Sequence, residues 1–181
     1  MLNIQTLYQE AIRFAGNRHL EGNQTVKGTR LPYVVHLSNV AMEIFVAAMH
    51  TDDFDLGFAV QVALLHDTLE DTSTTFDELK ERFGEEVAVA VLALSKDERL
   101  PKEQQVPDSL ARIRGLRKEV YAVKLADRIT NLQPPPPDWN RETLIRYRDD
   151  SGLILEAMAE GNRYLAERLR SKIDEYEKYI L

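Results

Sequence analysis

Residues 56 to 72 read LGFAVQVALLHDTLEDT, and this segment indicates the helical architecture of the whole chain. Apolar side chains fill seven of the eight positions from 58 to 65, which predicts a helix that passes through a core. Four ionisable residues follow directly: His66, Asp67, Glu70 and Asp71. Burying such groups is unfavourable unless their charge is compensated. A divalent cation is the simplest compensation, since imidazole nitrogen and carboxylate oxygen together suit Mn, Fe or Zn.

The spacing of these ionisable residues favours one shared site. Residues three or four apart lie on the same helix face, so we expect Glu70 to lie over His66 and Asp67, and Asp71 to lie over Asp67. A carboxylate beside a bound cation can take a proton from water whose pKa the cation has lowered. The alternative is a polar helix end in which Asp71 caps the next turn.

One helix cannot close a metal site, so further ligands must come from elsewhere in the chain. Of the four histidines, His19 ends the first predicted helix and His50 borders a charged loop. His36 lies one turn into the second predicted helix and is expected to face the interior. The alternative for His36 is a core histidine whose hydrogen bonds are satisfied, which is the commoner situation.

Asp127 is a further candidate ligand. It lies in VKLADRITN, residues 123–131, which is too apolar a setting for a carboxylate without a partner. An ion pair with Lys124 or Arg128 is the alternative. Asn131 follows four residues later on the same helix face, where its amide can orient a substrate.

The composition indicates a globular protein of one domain. The chain has 181 residues, of which 44% are hydrophobic and 29% are charged. It contains no cysteine, which excludes disulfides, Fe–S clusters, thiolate metal sites and cysteine nucleophiles. A net charge of −7 argues against a nucleic-acid partner. Residues 1–5 do not resemble a signal peptide and no stretch is long enough to span a bilayer, so we expect a cytoplasmic protein without a membrane partner.

Positive charge is concentrated between residues 110 and 128, where six basic residues accompany two acidic ones. A segment of this kind can receive a small polyanion. The alternative is a solvated helix face.

Helical spacing dominates the whole chain and strand-like alternation is nowhere sustained, so the sequence predicts an all-α fold, a compact multi-helix bundle. A first helix carries Leu7, Ala11 and Phe14 on one face, and Pro32 opens a second helix that runs to about Met49. Further helices are expected at 56–69, from the capping box at Thr75 to Gly84, and at 85–94, 107–114 and 118–132.

The connections and the C-terminal part are also predicted. Residues 95–107 are expected to form a charged loop and residues 134–137, all proline, a stiff connector. Asn140 or Thr143 caps a following helix that is broken or bent near Gly161, and Trp139 is either a lid or a core residue. The last helix presents an apolar stripe of Leu165, Leu169, Ile173, Tyr176 and Ile180.

Five motifs stand in a fixed order along the chain. They are AxxFA at 11–15, QxxKGTxxPYxxH at 24–36, LHDTLEDT at 65–72, FG at 83–84 and KLADRxxN at 124–131. Together they resemble the hydrolase domain of the Rel/Spo alarmone enzymes, which are HD-domain metal-dependent phosphohydrolases. The match runs from about residue 7 to 140, with C-terminal helices at 141–181, so the resemblance implies a single HD-type hydrolase domain over 1–181, similar to the free-standing small alarmone hydrolases.

The resemblance implies an activity and a set of roles. That family removes pyrophosphate from the 3′ position of guanosine tetra- or pentaphosphate with Mn²⁺, by attack of metal-activated water. Carried onto this chain, the metal ligands are His36, His66, Asp67 and Asp127, and the residues that activate or orient water are Glu70 and Asp71. The nucleotide contacts are Asn131 at the ribose and Lys27 near the base or 5′ phosphates. From their charge, Lys102, Arg112 and Arg114 are candidates for holding the outer phosphates.

One position departs from the family pattern. The family commonly has arginine where this chain has Val26, and valine offers apolar contact but neither cation–π contact nor charge. An adenine alarmone such as ppApp is therefore a candidate substrate beside ppGpp, and Val26→Arg is expected to favour the guanine nucleotide. Two alternatives stay open: an HD phosphatase that releases orthophosphate from another nucleotide or NADPH, and a catalytically silent nucleotide-binding module.

Overall fold

Helices form the architecture of the chain in the computed structural model, which describes residues 3–181. The expectation drawn from residues 1–5 rests in part on Met1 and Leu2, which lie outside this range. The helices are α1 (Ile4–Glu21), α2 (Val34–Ala48), α3 (Leu56–Leu65), α4 (Thr68–Asp71), α5 (Phe76–Phe83), α6 (Glu85–Leu94), α7 (Lys102–Ile113), α8 (Lys118–Asn131), α9 (Arg141–Met158) and α10 (Arg163–Tyr176). Short 3₁₀ turns follow α9 and α10, at Ala159–Gly161 and Glu177–Tyr179.

Side-chain caps set where several helices begin. The cap accepts a hydrogen bond from a backbone N–H of the first turn, which otherwise lacks a partner. The caps are Asn3 for α1, Asp55 for α3, Thr75 for α5, Asn140 for α9 and Asn162 for α10. Asn140, not Thr143, is thus the cap of α9, and Gly84 ends α5 with the positive φ of 92° that glycine permits.

Three predicted helix boundaries were wrong. The second helix begins at Val34 because Pro32 pairs instead with Thr25 in an isolated antiparallel bridge. The seventh helix begins at Lys102 within the predicted loop, and Pro107 lies inside it. The proline removes only one hydrogen bond of an exposed turn, so solvent can satisfy the carbonyl that lacks its partner.

The third difference is functional, because the helix predicted at 56–69 breaks at His66 and Asp67. At this break, side chains bind the carbonyls that backbone N–H groups would bind in a continuous helix. The His66 ring contacts the Ala63 carbonyl, with 2.8 Å between Nδ1 and the oxygen, and the Thr68 hydroxyl donates to the Leu65 carbonyl over 2.7 Å. The turn between α3 and α4 therefore carries two of the candidate ligands.

The elements that carry candidate ligands pack against one another. Helix α3 contacts α1, α2, α6 and α8, and its residues 59, 60 and 62–65 are completely buried. Helix α8 contacts α2, α3, α9 and α10, and is buried continuously from residue 119 to 129. The predicted C-terminal stripe closes this side of the core, with Leu165, Leu169, Tyr176 and Ile180 buried. Within residues 3–181, no helix is long and apolar enough to cross a membrane.

Candidate functional site

Two imidazoles and two carboxylates converge where α2, the α3–α4 turn and α8 meet. Asp67 Oδ2 lies 2.9 Å from His66 Nε2 and 3.6 Å from His36 Nε2. The two Nε2 atoms are 3.3 Å apart. Asp127 Oδ1 lies 3.4 Å from His36 Nε2 and 3.5 Å from His66 Nε2. Both histidines are only 3% exposed, so the cluster is a buried one.

The separations among His36, His66 and Asp67 fit a shared divalent cation, and Asp127 lies beside the two imidazoles of this group. Bonds of about 2.1 Å to one ion place neighbouring donor atoms about 3.0 Å apart at right angles and about 3.4 Å apart in a tetrahedron. The observed spacings of 2.9 to 3.6 Å span that range. His36, His66 and Asp67 each offer one ligand atom, and these atoms lie within 4.8 Å of one another. Nitrogen and carboxylate donors in this ratio suit a borderline or hard transition metal.

Neighbouring groups orient the four candidate ligands. The Ala63 carbonyl accepts from His66 Nδ1–H, which leaves Nε2 free to face the cluster. Tyr33 donates its hydroxyl to Asp67 Oδ2 over 2.5 Å, and Asn131 donates its amide to Asp127 Oδ1 over 2.5 Å. The alternative of an ion pair from Asp127 to Lys124 or Arg128 is not found among residues 3–181. Asp127 is directed at the histidines instead.

The charges of the cluster are strongly coupled. Burial by itself would lower the pKa of His66, but the carboxylates of Asp67 and Asp127 outweigh it and hold that pKa well above its ordinary value of 6.5. The pKa of His36 is raised for the same reason. Burial would raise the pKa of both carboxyls, yet the two imidazoles hold them well below 3.8. The imidazoles and the carboxylates therefore each favour the charged form of the other.

A second layer of side chains behind Asp67 was missed by the sequence analysis. His19 is buried within α1, and its ring stacks on Tyr33 with 4.4 Å between ring centroids. Gln24 contacts His19 Nδ1 through its side-chain oxygen and donates its amide to the Asp71 carbonyl. Gln24 and Tyr33 both belong to the motif at 24–36, so that motif carries the sequence signal for this layer.

Glu70 and Asp71 have different surroundings. Glu70 accepts from both the ammonium and the backbone N–H of Lys96, over 2.8 and 2.7 Å, and faces the cavity described below. Asp71 is more exposed and does not line that cavity. Partial burial, Asp67 and Glu70 raise the pKa of Asp71 to about 6. Glu70 and Asp71 are neighbours in the short helix α4, where successive side chains point about 100° apart, and only Glu70 faces the cavity.

A polar cavity of about 720 Å³ opens over Asp127 and Glu70. Three of the predicted nucleotide contacts line it: Lys27, Lys102 and Asn131. Val26 does not line it, although it precedes Lys27 in the same loop.

The structure does not bring the other two predicted contacts to the cavity. Arg112 donates to the carbonyls of Leu92 and Ser95 and is therefore occupied in joining α7 to the end of α6. Arg114 is exposed in a different groove, beside α9. Helical periodicity could not separate these arginines from cavity residues, because the fold decides which face of α7 is covered.

Several cavity residues were not predicted as nucleotide contacts. Helix α9 contributes Thr143, Arg146, Tyr147 and Asp150, whose spacing of three and four residues marks one helix face. Trp139 forms a wall: the Lys27 ammonium lies 4.6 Å from its ring centroid, and its ring meets that of Tyr147 edge-on at 4.9 Å. Lys96, Lys124 and Arg128 complete the basic part of the lining.

Comparison with known proteins identifies the class. A family model described as HD domain matches residues 11–144. The guanosine-3′,5′-bis(diphosphate) 3′-pyrophosphohydrolase MESH1 of Danio rerio is 30% identical over 166 residues, which cover 89% of each chain. The enzyme of the same description from Aquifex aeolicus is 36% identical over 128 residues, which cover 69% of this chain and 17% of that one. The chain therefore belongs to the HD-domain family, as a relative of these pyrophosphohydrolases.

The three-dimensional comparison agrees. The solved structure of a metazoan orthologue of SpoT that hydrolyses ppGpp matches with a TM-score of 0.80 and 25% sequence identity, over 97% of both chains. The predicted all-α HD-domain fold and the resemblance stated from the motifs are thereby confirmed.

Proposed function

We propose that the protein hydrolyses the 3′-pyrophosphate of purine alarmone nucleotides, (p)ppGpp or (p)ppApp, and that Mn²⁺ is its metal ion. The relatives reported above act, by their descriptions, on guanosine-3′,5′-bis(diphosphate). The observation that carries the proposal is the convergence of His36, His66, Asp67 and Asp127 beside a polar cavity that also holds Glu70.

Each residue of the cluster has a proposed part in the reaction. His36, His66, Asp67 and Asp127 would hold the cation, which when bound lowers the pKa of water and offsets negative charge on phosphate oxygens. Glu70 would accept a proton from the attacking water, since it faces the cavity and Lys96 fixes both of its oxygens in place. Asp71 would orient that water or act as the base in its place.

The cavity lining supports a nucleotide as the substrate. Asn131 donates to Asp127 and also lines the cavity, so it can contact a ribose beside the cation centre. Lys102 is proposed to hold outer phosphates. Lys27 and the Trp139 ring form one wall, which offers a charge and a flat apolar face near the loop that contains Val26. A flat face stacks on adenine and guanine alike, which supports the wider class of purine alarmones.

The remaining expectations concern the cell. A cytoplasmic location, a single domain over 1–181, and the absence of nucleic-acid and membrane partners stay predictions from the sequence.

An activity assay with product identification tests the proposal. Purified protein is incubated with ppGpp and with ppApp in the presence of Mn²⁺, and the released product is identified. We expect pyrophosphate from at least one nucleotide, loss of release in EDTA, and loss in His66→Ala. His50→Ala is the matched control, since His50 is exposed and stacks on Tyr164 away from the cavity. Release of orthophosphate, or no release from either nucleotide, would overturn the proposal.

A further inference from the structure

Within the part of the chain that the structure describes, two basic side chains of α8 are buried without an acidic partner. Lys124 and Arg128 are each only 5% exposed. Among residues 3–181, no carboxylate oxygen lies within 4.0 Å of either cationic group, and two guanidinium nitrogens of Arg128, Nε and Nη1, are buried without a hydrogen-bond partner. A buried cation without such compensation is strongly unfavourable in a protein interior.

The same helix shows how this fold normally treats a buried charge. Glu119 is 4% exposed, and its carboxylate accepts from the Asp55 backbone N–H over 2.9 Å and from Arg117 over 3.3 Å. Within residues 3–181, Lys124 and Arg128 have no oppositely charged partner of the kind that Arg117 provides for Glu119. The Tyr147 ring lies 4.4 Å from the Arg128 guanidinium carbon, and this cation–π contact compensates only part of the charge.

Both cations border the cavity on the same helix face. They are four residues apart on α8 and line the cavity together with Lys96 and Asp127. Burial lowers the pKa of Lys124. The positive charges of Lys96 and Arg128 lower it further, while the negative charge of Asp127 opposes the shift. An anion placed in the cavity beside these groups would remove both the repulsion and the uncompensated charge.

We propose that Lys124 and Arg128 form a receptor for the pyrophosphoryl group of the nucleotide. This rests on the proposed function, because it assigns a binding site within the same cavity. The pair supplies two positive charges, and a guanidinium can hold phosphate oxygens through two parallel hydrogen bonds. Because the charges are built into α8 beside Asp127, they bring the phosphate to the candidate metal centre.

Binding of inorganic pyrophosphate to the intact protein in EDTA tests this receptor without any turnover. Isothermal titration calorimetry is carried out on the wild-type protein, Lys124→Met and Arg128→Gln, in a buffer without phosphate. We expect measurable binding by the wild type and at least about tenfold weaker binding by each variant. Lys80→Met and Arg170→Gln are matched controls on exposed faces of α5 and α10, and we expect wild-type affinity from both.

Thermal unfolding of the ligand-free proteins gives a second readout, in which the variant that binds pyrophosphate more weakly is expected to be the more stable protein. Lys124→Met removes an uncompensated buried charge while keeping a side chain of similar length, so its midpoint is expected to rise above that of the wild type. If Lys124 had only a structural role, its replacement would lower the unfolding midpoint. No pyrophosphate binding by the wild type, equal affinity in the variants, or a lower midpoint for Lys124→Met would overturn the receptor. Failure of the proposed function would appear separately, as no pyrophosphate release from either alarmone.

Discussion

At the scale of single residues, the candidate metal centre depends on side chains that are not ligands themselves. Tyr33 donates to Asp67 and is held from behind by the buried ring of His19. Such outer contacts fix the direction of a ligand's lone pairs, so their removal weakens metal binding even when every ligand remains.

Tyr33→Phe is therefore expected to weaken Mn²⁺ binding by about tenfold to a hundredfold, since only the hydroxyl that orients Asp67 is removed. Calorimetric titration with Mn²⁺ alone measures the change. Tyr8→Phe is the matched control, because the Tyr8 hydroxyl contacts Ser38 at 3.2 Å and Tyr8 lines a groove that contains none of the candidate ligands. Equal Mn²⁺ affinity in Tyr33→Phe and wild type would contradict the orienting role.

Protonation of the two histidines predicts how metal binding depends on pH. The carboxylates raise the pKa of His36 and His66 above 6.5 in the cation-free protein, and a proton on Nε2 excludes a metal ion. Mn²⁺ affinity should therefore rise as the pH increases through these raised values, and binding should release protons. Titrations at about pH 6 and about pH 8.5, in buffers with different ionisation enthalpies, measure both effects. Identical affinity at the two pH values without proton release would count against this set of ligands.

Residue chemistry is the part that the sequence predicted best. His66, Asp67 and Asp127 stood out because ionisable groups interrupt apolar helical segments, and the structure brings them together with His36. Arg112 and Arg114 were placed in the cavity by charge alone. The charge of a residue does not determine which way its helix face points. Only the packed fold shows that these two arginines lie outside the cavity.

At the scale of helices, one close contact fixes how the C-terminal part sits on α8. Gly161 lies in the turn between α9 and α10, and a Cβ atom there would lie 2.2 Å from Tyr121 Cβ and 3.1 Å from the Lys118 carbonyl. Both neighbours belong to the rigid, buried helix that carries Asp127. The contact therefore demands glycine for space.

Gly161→Ala should destabilise the protein by about 2 kcal/mol or more, because α8 cannot yield to the added methyl group. Chemical denaturation measures the free energy of unfolding. Gly152→Ala is the control: a Cβ at Gly152 in α9 meets nothing within 4 Å, so this change should stabilise by up to about 1 kcal/mol. Equal effects of the two substitutions would show that the contact at Tyr121 is not a constraint.

The presence of the helices was predictable from the sequence. Their boundaries were not predictable at points where a side chain, instead of a backbone N–H, binds a helix carbonyl. The apolar run to Leu65 predicted α3, while periodicity continued the helix past the turn at His66 and Asp67. Pro107 was expected to open a helix. It lies inside α7 because the helix can lose one hydrogen bond on an exposed turn.

At the scale of the whole molecule, packing assembles a site from segments far apart in the chain. Helices α2, α3 and α8 meet at the four candidate ligands, and α9 covers α8 to form the cavity wall. The cluster of candidate ligands was predictable because each member carries its own chemical signal. The wall, with Trp139 and Arg146, was not, since it depends on how α9 lies across α8.

The proposed function requires His36, His66, Asp67 and Asp127 to hold one divalent cation. Anomalous diffraction at the manganese edge, from crystals grown with Mn²⁺, tests it most directly. We expect a single strong peak in the protein, bonded to Nε2 of both histidines, Asp67 Oδ2 and Asp127 Oδ1. No peak at this cluster, or a peak held by Glu70 and Asp71 instead, would contradict it.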